Sequence, residues 1–496
     1  MSNCLRLMKL KNAQGTPPER SYPALHLSWI LVLILVLSLI SCAVNPVTGE
    51  RELMLVSESQ EIEIGREAAP SLNWAYGGEF HDPALKQYLE GIVRRIWQNA
   101  ERPYLPFRFT IQNTSVPNAF ALPGYVAITR GLLADLQNEA QFAAVMGHEV
   151  GHVMARHTAK RISLGTLQQL GLVVGGVALG GKEGSDVLLR LGAIGSSLLL
   201  LRYDREQELQ ADRLGVRYMA ALGYDPYEAI KAHQRLKVAV DKYLKNLGKT
   251  QKEDTFLDAV LSTHPREEIR KEEMLAMIKQ LPPYHLRGDG RFAGRFQAAI
   301  EGLRKINRVY FVYDRAVLLY NKDKLAEAEK QLRKAISMNS EQAPFYNLYG
   351  MISLKQERYS EAGKYFKEAL LRDKNYQPSY YGLGLAGLKS HRYRAAIEQF
   401  RRSLELYPDH PGSHFGMGKS YFNLERYARA IPHLREFASQ APRHPEVHGL
   451  LGISYERTGD IRAAVRQYEL QVKVAPGTML GWYARERLYV LRPLLR

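Results

Sequence analysis

The sequence predicts an α+β domain that is mostly helical with a small edge sheet, followed by an all-α repeat solenoid. Residues 42–305 mix helical and alternating hydrophobic patterns, whereas the C-terminal half repeats with a period of 34 residues. The chain has 496 residues, of which 46% are hydrophobic and 24% are charged. This is ordinary globular composition and is long enough for two or three domains.

The N-terminus has the pattern of an export signal. Residues 1–28 are polar and basic, and residues 29–40 are apolar but fewer than the roughly 20 that span a bilayer. The Leu-Ile-Ser-Cys sequence ending at Cys42 resembles a bacterial lipobox, which implies a lipoprotein signal peptide over 1–41 and lipidation of Cys42. Residue 43 is Ala rather than Asp, which resembles the sorting pattern of lipoproteins that are delivered to the outer membrane. The alternative is an ordinary signal peptide with an incidental cysteine.

Cysteine content and charge limit the chemistry of the mature chain. The only cysteines are Cys4 and Cys42, so any metal must be held by His, Asp or Glu. The formal net charge is +17, and residues 306–496 carry 31 Lys/Arg against 19 Asp/Glu. This excess indicates either solvated outer helix faces or a surface for an acidic partner. Nucleic acid is not expected as a partner of an exported chain.

The C-terminal half carries small and large residues at fixed positions of its repeat. Two small residues recur twelve positions apart, and a large apolar residue follows four positions later. These positions are Ala316, Gly350, Gly384, Gly418 and Gly452; Ala328, Ala362, Ala396, Ala430 and Ala464; and Leu332, Phe366, Phe400, Leu434 and Tyr468. This is the tetratricopeptide (TPR) pattern of close-packed helical hairpins. It predicts a linker helix over 291–305, about five repeats over 306–480 and a capping helix over 481–496.

One predicted helix carries a metal-binding motif. Residues 138–152 predict a helix capped by Asn138, and the helix contains His148-Glu-Val-Gly-His152. Two histidines at i and i+4 lie on one face, so both can reach one tetrahedral ion. Glu149 flanks them and is a candidate general base for a metal-bound water.

A third ligand has to come from another helix. His157 is nine residues after His148, which is about 180° round a continuous helix. We therefore interpret His157 as a surface or second-helix contact. Glu208 and Asp212 share a face of an acidic helix, where a carboxylate would complete the site and Asp212 would orient a ligand histidine or an arginine. The alternatives are a solvated charged helix, or Glu206 as the ligand.

Together these motifs resemble a known family. Glu208-x-x-Ala211-Asp212 after an H-E-x-x-H helix resembles the HtpX/BepA-type zinc metallopeptidase family. The resemblance extends to residues 45–49, 118–130 and 262–270. It covers about residues 42–280, and the layout is closest to family members that carry a C-terminal TPR array.

The family resemblance implies a zincin-like metallopeptidase domain over 42–290 with one Zn²⁺ per chain. His148, His152 and Glu208 would hold the ion, and Glu149 would act as the base.

The resemblance also concerns two residues near the end of this domain. It implies that His264 is a regulatory plug or fourth ligand that keeps the enzyme latent; a core histidine and a transition-state stabiliser are the alternatives. Arg270 would either meet the developing oxyanion as a catalytic residue or pair with Asp212.

Predicted strands precede the metal helix. Residues 107–111 alternate apolar and polar, residues 125–129 are β-prone, and Pro123-Gly124 lies between them. The resemblance assigns residues 118–130 to a substrate-side edge strand, with the site residues Asn118, Ala119, Phe120, Pro123 and Gly124. An extended polypeptide can add to such an edge through main-chain hydrogen bonds. A purely structural hairpin is the alternative.

The whole sequence predicts a zinc-dependent endopeptidase that is lipid-anchored in the periplasm, at the outer membrane. Its substrates would be unfolded or misassembled envelope proteins, and its repeats would bind substrate or the outer-membrane β-barrel assembly machinery. The rival prediction is an assembly chaperone or scaffold with a mainly structural, plugged zinc site. The Gly-rich apolar segment 164–201 predicts either buried helices or a mobile lid.

Overall fold

The structure is a computed structural model that describes residues 42–166, 203–249 and 269–495. Within these ranges the predicted fold class is confirmed, because a mixed domain with two small sheets is followed by an array of helical hairpins. The predicted signal peptide, His264 and most of segment 164–201 lie outside the described residues. Among the helices that are described, none is long and apolar enough to cross a membrane.

The N-terminal domain contains five strands and eight described helices of defined extent. The strands are β1 (Cys42–Val44), β2 (Arg51–Leu53), β3 (Phe109–Gln112), β4 (Ala119–Leu122) and β5 (Tyr125–Thr129). The helices are α1 (Glu58–Ala75), α2 (Pro83–Gln98), α3 (Arg130–Leu133), α4 (Glu139–Met154), α5 (Arg205–Ala221), α6 (Glu228–Leu247), α7 (Ile269–Lys279) and α8 (Ala293–Ala299). Residues 157–166 are also helical.

The three-stranded sheet has the order β3-β5-β4, which leaves β4 at an edge. Strands β3 and β5 are parallel, whereas β4 and β5 form an antiparallel hairpin in which Leu122 pairs with Tyr125. Pro123 and Gly124 make the tight turn, and Gly124 has a φ of 87°, a conformation that glycine adopts without strain. Helix α4 packs against β4, so the metal motif lies beside the edge strand.

The array consists of hairpins of nearly equal length. Its helices are α9 (Glu301–Asn321), α10 (Leu325–Met338), α11 (Ala343–Lys355), α12 (Tyr359–Arg372), α13 (Gln377–Lys389), α14 (Tyr393–Leu406), α15 (Pro411–Asn423), α16 (Tyr427–Gln440), α17 (Val447–Arg457), α18 (Ile461–Val474) and α19 (Met479–Leu491). Residues 291–305, predicted as a linker helix, hold α8 and the start of α9. The chain thus passes into the array within one helix.

The repeat positions found in the sequence form the core of the array. A Cβ on Gly350 would lie 2.5 Å from the ring of Phe366, and a Cβ on Gly384 would lie 2.5 Å from the ring of Phe400. A Cβ on Gly382 of the next hairpin would lie 2.4 Å from the ring of Phe366, and one on Gly416 would lie 2.3 Å from the ring of Phe400. Phe366 and Phe400 therefore fill the space left by glycines on both sides of them, which fixes the spacing between these neighbouring hairpins.

Candidate metal centre

Helix α4 brings the two motif histidines to one side of the site. Its N-cap is Asn138, whose side chain accepts a hydrogen bond of 2.8 Å from the N–H of Gln141. The helix ends at Met154, and Arg156 then takes a left-handed conformation with φ of 59°. Between these ends His148 and His152 lie one turn apart, with their Nε2 atoms 3.0 Å from each other.

Helix α5 reaches the histidines because small residues line its crossing with α4. A Cβ on Gly151 would lie 3.1 Å from the carbonyl oxygen of Ala211, and a Cβ on Gly215 would lie 3.0 Å from the backbone N of His148. The two helix backbones are therefore in near-direct contact. This contact brings the buried Glu208, on the first turns of α5, to the histidines of α4.

The three candidate ligands fit a zinc ion. Glu208 Oε2 is 3.6 Å from His148 Nε2, and Glu208 Oε1 is 3.4 Å from His152 Nε2. A tetrahedral zinc site with bonds of about 2.0–2.1 Å has ligand–ligand separations of roughly 3.3–3.4 Å. Among the described residues, these three form the one group of histidine and acidic side chains close enough to share an ion.

Glu149 and the edge strand share a cavity with this centre. A cavity of about 70 Å³ is lined by Glu149 and His148, by Asn118 and Ala119 at the start of β4, and by apolar side chains. The apolar lining comes from Leu132, Val145, Val216, Leu236 and Met274. A carboxylate, a metal position and a strand edge therefore meet at a mainly apolar pocket. Phe120, Pro123 and Gly124 lie further along the hairpin, away from this cavity.

Asp212 and Arg270 contact the ligands and also line the cavity that contains Glu149. Asp212 Oδ1 is 2.8 Å from His148 Nδ1, and Arg270 donates to Asp212 from Nε at 2.8 Å and from Nη2 at 2.7 Å. The third nitrogen of the guanidinium, Nη1, is 2.9 Å from Glu208 Oε2. Arg270 therefore contacts two carboxylates of the site through all three of its nitrogens.

The far side of His152 is held by residues that the sequence did not single out for this role. Its Nδ1 is 2.8 Å from Nδ1 of His157, and the ring of Tyr203 stacks on its imidazole at 3.9 Å. Burial holds the pKa of His152 well below its usual value, so the imidazole is neutral near pH 7. His157 is 1% exposed, so the predicted surface position is wrong. The predicted alternative, a contact with a second helix, is the one observed, because His157 contacts Gln210 of α5.

His233 on α6 was also missed by sequence analysis. Its Nε2 is 3.5 Å from both Asp212 Oδ1 and Arg270 Nη2, and it lines the same cavity as Glu149. Burial, and then the charge of Arg270, lower its pKa. The only signal in the sequence is a histidine on an otherwise apolar helix face, which is too common to mark a site.

The remaining predicted residues are placed as follows. Glu206, the competing ligand, is exposed and is absent from the cluster of ligand atoms. Cys42 begins β1, at the first described position of the chain. His264 lies outside the described residues.

Comparisons with known proteins identify both parts of the chain. Residues 83–278 match the family model of peptidase family M48. Residues 313–379, 381–445 and 415–477 match the tetratricopeptide repeat. The chain therefore contains an M48 peptidase domain followed by tetratricopeptide repeats, and the predicted family is confirmed.

Several curated proteins are similar to part of the chain. The "Putative beta-barrel assembly-enhancing protease" of Vibrio cholerae is 29% identical over 214 residues, which are 42% of this chain and 42% of that protein. The "Beta-barrel assembly-enhancing protease" of Escherichia coli is 26% identical over 243 residues, 46% of each chain. The "Mitochondrial metalloendopeptidase OMA1" of Schizosaccharomyces pombe is 29% identical over 237 residues, 46% of this chain and 64% of that one. The matched region spans less than half the length of the first two relatives.

Among solved structures, the TPR protein YrrB is similar to the array. It is 23% identical, with a TM-score of 0.32, over 38% of this chain and 97% of that one.

Proposed function

We propose that the protein is a zinc-dependent endopeptidase. The observation that carries the proposal is that Glu149 and His148 line one mainly apolar cavity, and that His148 groups with His152 and Glu208 as candidate ligands of one ion. The M48 domain and the metalloendopeptidase among its relatives support the same reaction class. A site with three protein ligands and an adjoining carboxylate is typical of catalytic rather than structural zinc.

Each residue of the site has a separate role in the proposed hydrolysis. A zinc ion bound by the three ligands would polarise the scissile carbonyl and acidify a water molecule. Glu149 would take a proton from the attacking water and then deliver it to the leaving amine nitrogen. Arg270 would hold Glu208 and Asp212 in place, because its three nitrogens already contact their carboxylates. These contacts favour a positioning role for Arg270 over direct contact with substrate.

We propose an extended polypeptide as the substrate. Strand β4 is at the edge of its sheet, and Asn118 and Ala119 line the cavity that contains Glu149. A chain added to β4 would pass its scissile bond over the metal position through main-chain hydrogen bonds, with little dependence on sequence. The apolar lining beside Glu149 favours substrates with an apolar side chain next to the cleaved bond.

We keep the prediction that His264 restrains the enzyme as a plug or fourth ligand. Arg270 follows His264 closely in the sequence, and the contacts of its guanidinium with Glu208 and Asp212 support this prediction. A histidine in the water position would leave no nucleophile, so it would have to move before hydrolysis.

In the cell, we propose that the protein acts in protein quality control of the bacterial envelope. The names of its curated relatives, which refer to β-barrel assembly, support this setting. A lipid on Cys42 would anchor the chain in the periplasm at the outer membrane. The repeats would bind unfolded or misassembled envelope proteins, or the β-barrel assembly machinery, and their basic charge suits acidic partner segments.

A second candidate function is an assembly chaperone or scaffold, in which the array does the work and the zinc is mainly structural. The length of the array, which runs from α9 to α19, favours keeping this alternative. The two functions make opposite predictions for a variant that keeps the metal and loses the base.

The deciding experiment measures zinc content and cleavage of unfolded casein for the wild-type chain and for Glu149→Gln. We expect one zinc in both proteins and a loss of cleavage of roughly 10²–10⁴-fold in the variant, because the amide cannot accept the proton. Glu206→Gln on the exposed side of α5 is the matched control and should cleave like wild type. Equal and measurable cleavage by Glu149→Gln and wild type would rule out the mechanism. If the His264 plug silences wild type, the same comparison is made in the His264→Ala background.

The same assay separates latency from the scaffold function. His264→Ala should raise cleavage above wild type if the histidine blocks the site. Zinc without cleavage in wild type and in His264→Ala would favour the scaffold, and absence of zinc in all variants would mean that the ligands are misassigned.

A further inference from the structure

His157 lies between a metal-ligand histidine and a glutamine. It begins the helical segment that follows Arg156 and is almost fully buried. Its Nδ1 is 2.8 Å from Nδ1 of His152, and its Nε2 is 2.8 Å from Oε1 of Gln210 on α5. The two ring nitrogens of His157 thus connect the first turns of α5 to the ligand at the end of α4.

Hydrogen-bond donors and acceptors determine where the protons lie in this chain of contacts. An amide oxygen only accepts, so the contact with Gln210 requires a hydrogen on Nε2 of His157. A neutral imidazole has one N–H, so Nδ1 of His157 is then an acceptor. That acceptor faces Nδ1 of His152, which must carry the hydrogen that is donated.

The position of this hydrogen also determines the state of the other ring nitrogen of His152. With the hydrogen on Nδ1, Nε2 of His152 is left with a lone pair. This atom is 3.0 Å from His148 Nε2 and 3.4 Å from Glu208 Oε1, so it is directed at the proposed metal position. The opposite tautomer would place a hydrogen there and block coordination.

We propose that Gln210 and His157 form a relay that fixes the tautomer of His152 with its hydrogen on Nδ1, and so presets Nε2 as a metal ligand. Both are positioning residues, and the inference rests on the metal site proposed above. His148 is oriented by a different group, because its Nδ1 contacts the carboxylate of Asp212. The two ligand histidines are thus oriented by separate partners.

Packing alone does not account for this arrangement. The ring of Tyr203 stacks on His152 with an interplanar angle of 20° and fixes the plane of the imidazole. A stacked ring does not distinguish Nδ1–H from Nε2–H, since both tautomers have the same shape. Loss of the relay should therefore change metal affinity while the fold and the stacking remain.

The first test measures the zinc dissociation constant by competition with a chelator. His157→Phe keeps a buried ring without an acceptor and should bind zinc roughly 10–100-fold more weakly. His157→Asn places an oxygen near the position of Nδ1 and should recover much of this loss. Gln210→Met, at a half-buried position, should weaken binding to an intermediate extent.

Ser163→Ala is the matched control. Ser163 is also buried on the helical segment that His157 begins, but its hydroxyl contacts the backbone of Leu55 and Ala159 and takes no part in the relay. Its zinc affinity should equal that of wild type. An affinity of His157→Phe within about twofold of wild type, or an equal loss in Ser163→Ala, would overturn the proposal.

The second test needs no metal and separates this inference from the proposed function. Nitrogen-15 NMR of histidine-labelled, metal-free full chain should show His152 with its hydrogen on Nδ1. Gln210→Met should populate the Nε2–H tautomer. If wild type binds no zinc, the proposed function fails, but the NMR measurement still tests the relay. A hydrogen on Nε2 of His152 in metal-free wild type would refute the relay.

Discussion

Asp212 is the residue on which the charges of the site converge. It accepts hydrogen bonds from His148 and Arg270 and faces His233. Burial alone would raise the pKa of Asp212, but hydrogen bonds from the two histidines and the charge of Arg270 hold it well below its usual range. The carboxylate is therefore ionised near neutral pH, and it fixes the hydrogen of His148 on Nδ1.

Asp212→Asn is expected to weaken zinc binding roughly 10–100-fold while leaving the three ligands intact. The amide is a weaker acceptor for His148 and removes the negative charge that faces Arg270. The measurement is a zinc titration against a chelator. Asp241→Asn, an exposed position on α6, is the control and should match wild type. Unchanged affinity in Asp212→Asn would mean that His148 is oriented without this carboxylate.

At the residue scale, the sequence predicted the candidate ligands better than the residues that contact them. His148 and His152 follow from helical spacing, which is a local property, whereas Glu208 was preferred to Glu206 through the family resemblance. The position of His157 was derived for a continuous helix, but the left-handed Arg156 ends α4 and turns the next segment back toward His152. Arg156 is held there by Glu61 and by the carbonyl of Val56, contacts between distant parts of the chain that no local pattern reveals.

At the element scale, the site depends on how closely α4 and α5 cross. Gly147, Gly151 and Gly215 leave space that any side chain would fill, and Ala211 completes the contact. Both histidines are on α4 and Glu208 is on α5, so the separation of these two helices sets the size of the ligand group. Ala211 belongs to the motif that carries the family resemblance, but the glycines show their role only when the two helices are placed together.

Gly215→Ala should lower both stability and zinc affinity. The added Cβ would lie 3.0 Å from the backbone N of His148 and 3.2 Å from the backbone carbon of Gly147, so the helices have to separate by a few tenths of an ångström. We expect a loss of about 1–3 kcal/mol in the free energy of unfolding. Urea denaturation and zinc competition measure the two effects.

The matched control is Gly91→Ala on α2, where a new Cβ meets nothing within 4 Å. It should raise the free energy of unfolding by up to about 1 kcal/mol through helix propensity and leave zinc binding unchanged. If Gly215→Ala binds zinc as tightly as wild type, Glu208 reaches the ion by some route other than this close crossing.

At the scale of the whole molecule, the array was predictable and its docking was not. Each repeat contacts mainly its neighbours, so the 34-residue period contains most of the information needed to build it. The contacts between array and peptidase domain join residues far apart in sequence. The hydroxyl of Tyr407 is 2.9 Å from Ser71 Oγ, and the ring of Tyr376 lies edge-on to Trp74 at 5.7 Å. No periodicity marks either pair.

A buried polar cluster joins the first helix of the array to the end of β5. Arg130 lies over the ring of Tyr310 at 3.8 Å, hydrogen-bonds to Asn307 of α9, and donates to Ser115 at 3.0 Å. Asp314 belongs to the same cluster, and its Oδ2 is buried without a hydrogen-bond partner among the residues described. Burial raises the pKa of Asp314 to about 6, and the charge of Arg130 only partly offsets this.

This shift gives the junction a defined dependence on pH. The pKa of Asp314 is about 6 in the folded chain against an ordinary value of 3.8, so the folded chain binds the proton more tightly than the unfolded chain does. The stabilisation from this proton is fully present below about pH 4 and is lost as pH rises through about 6. Above that pH the folded chain carries a buried, ionised carboxylate.

Asp314→Asn imitates the protonated side chain and should remove this dependence. We expect little difference from wild type near pH 4, and a variant that is more stable by about 1–3 kcal/mol at pH 7.5. Urea unfolding at several pH values measures the difference, with the exposed Asp241→Asn as a control that should show none. A variant less stable than wild type at pH 7.5 would instead mean that attraction between Asp314 and Arg130 outweighs the cost of burial, and that this ion pair holds the array against the peptidase domain.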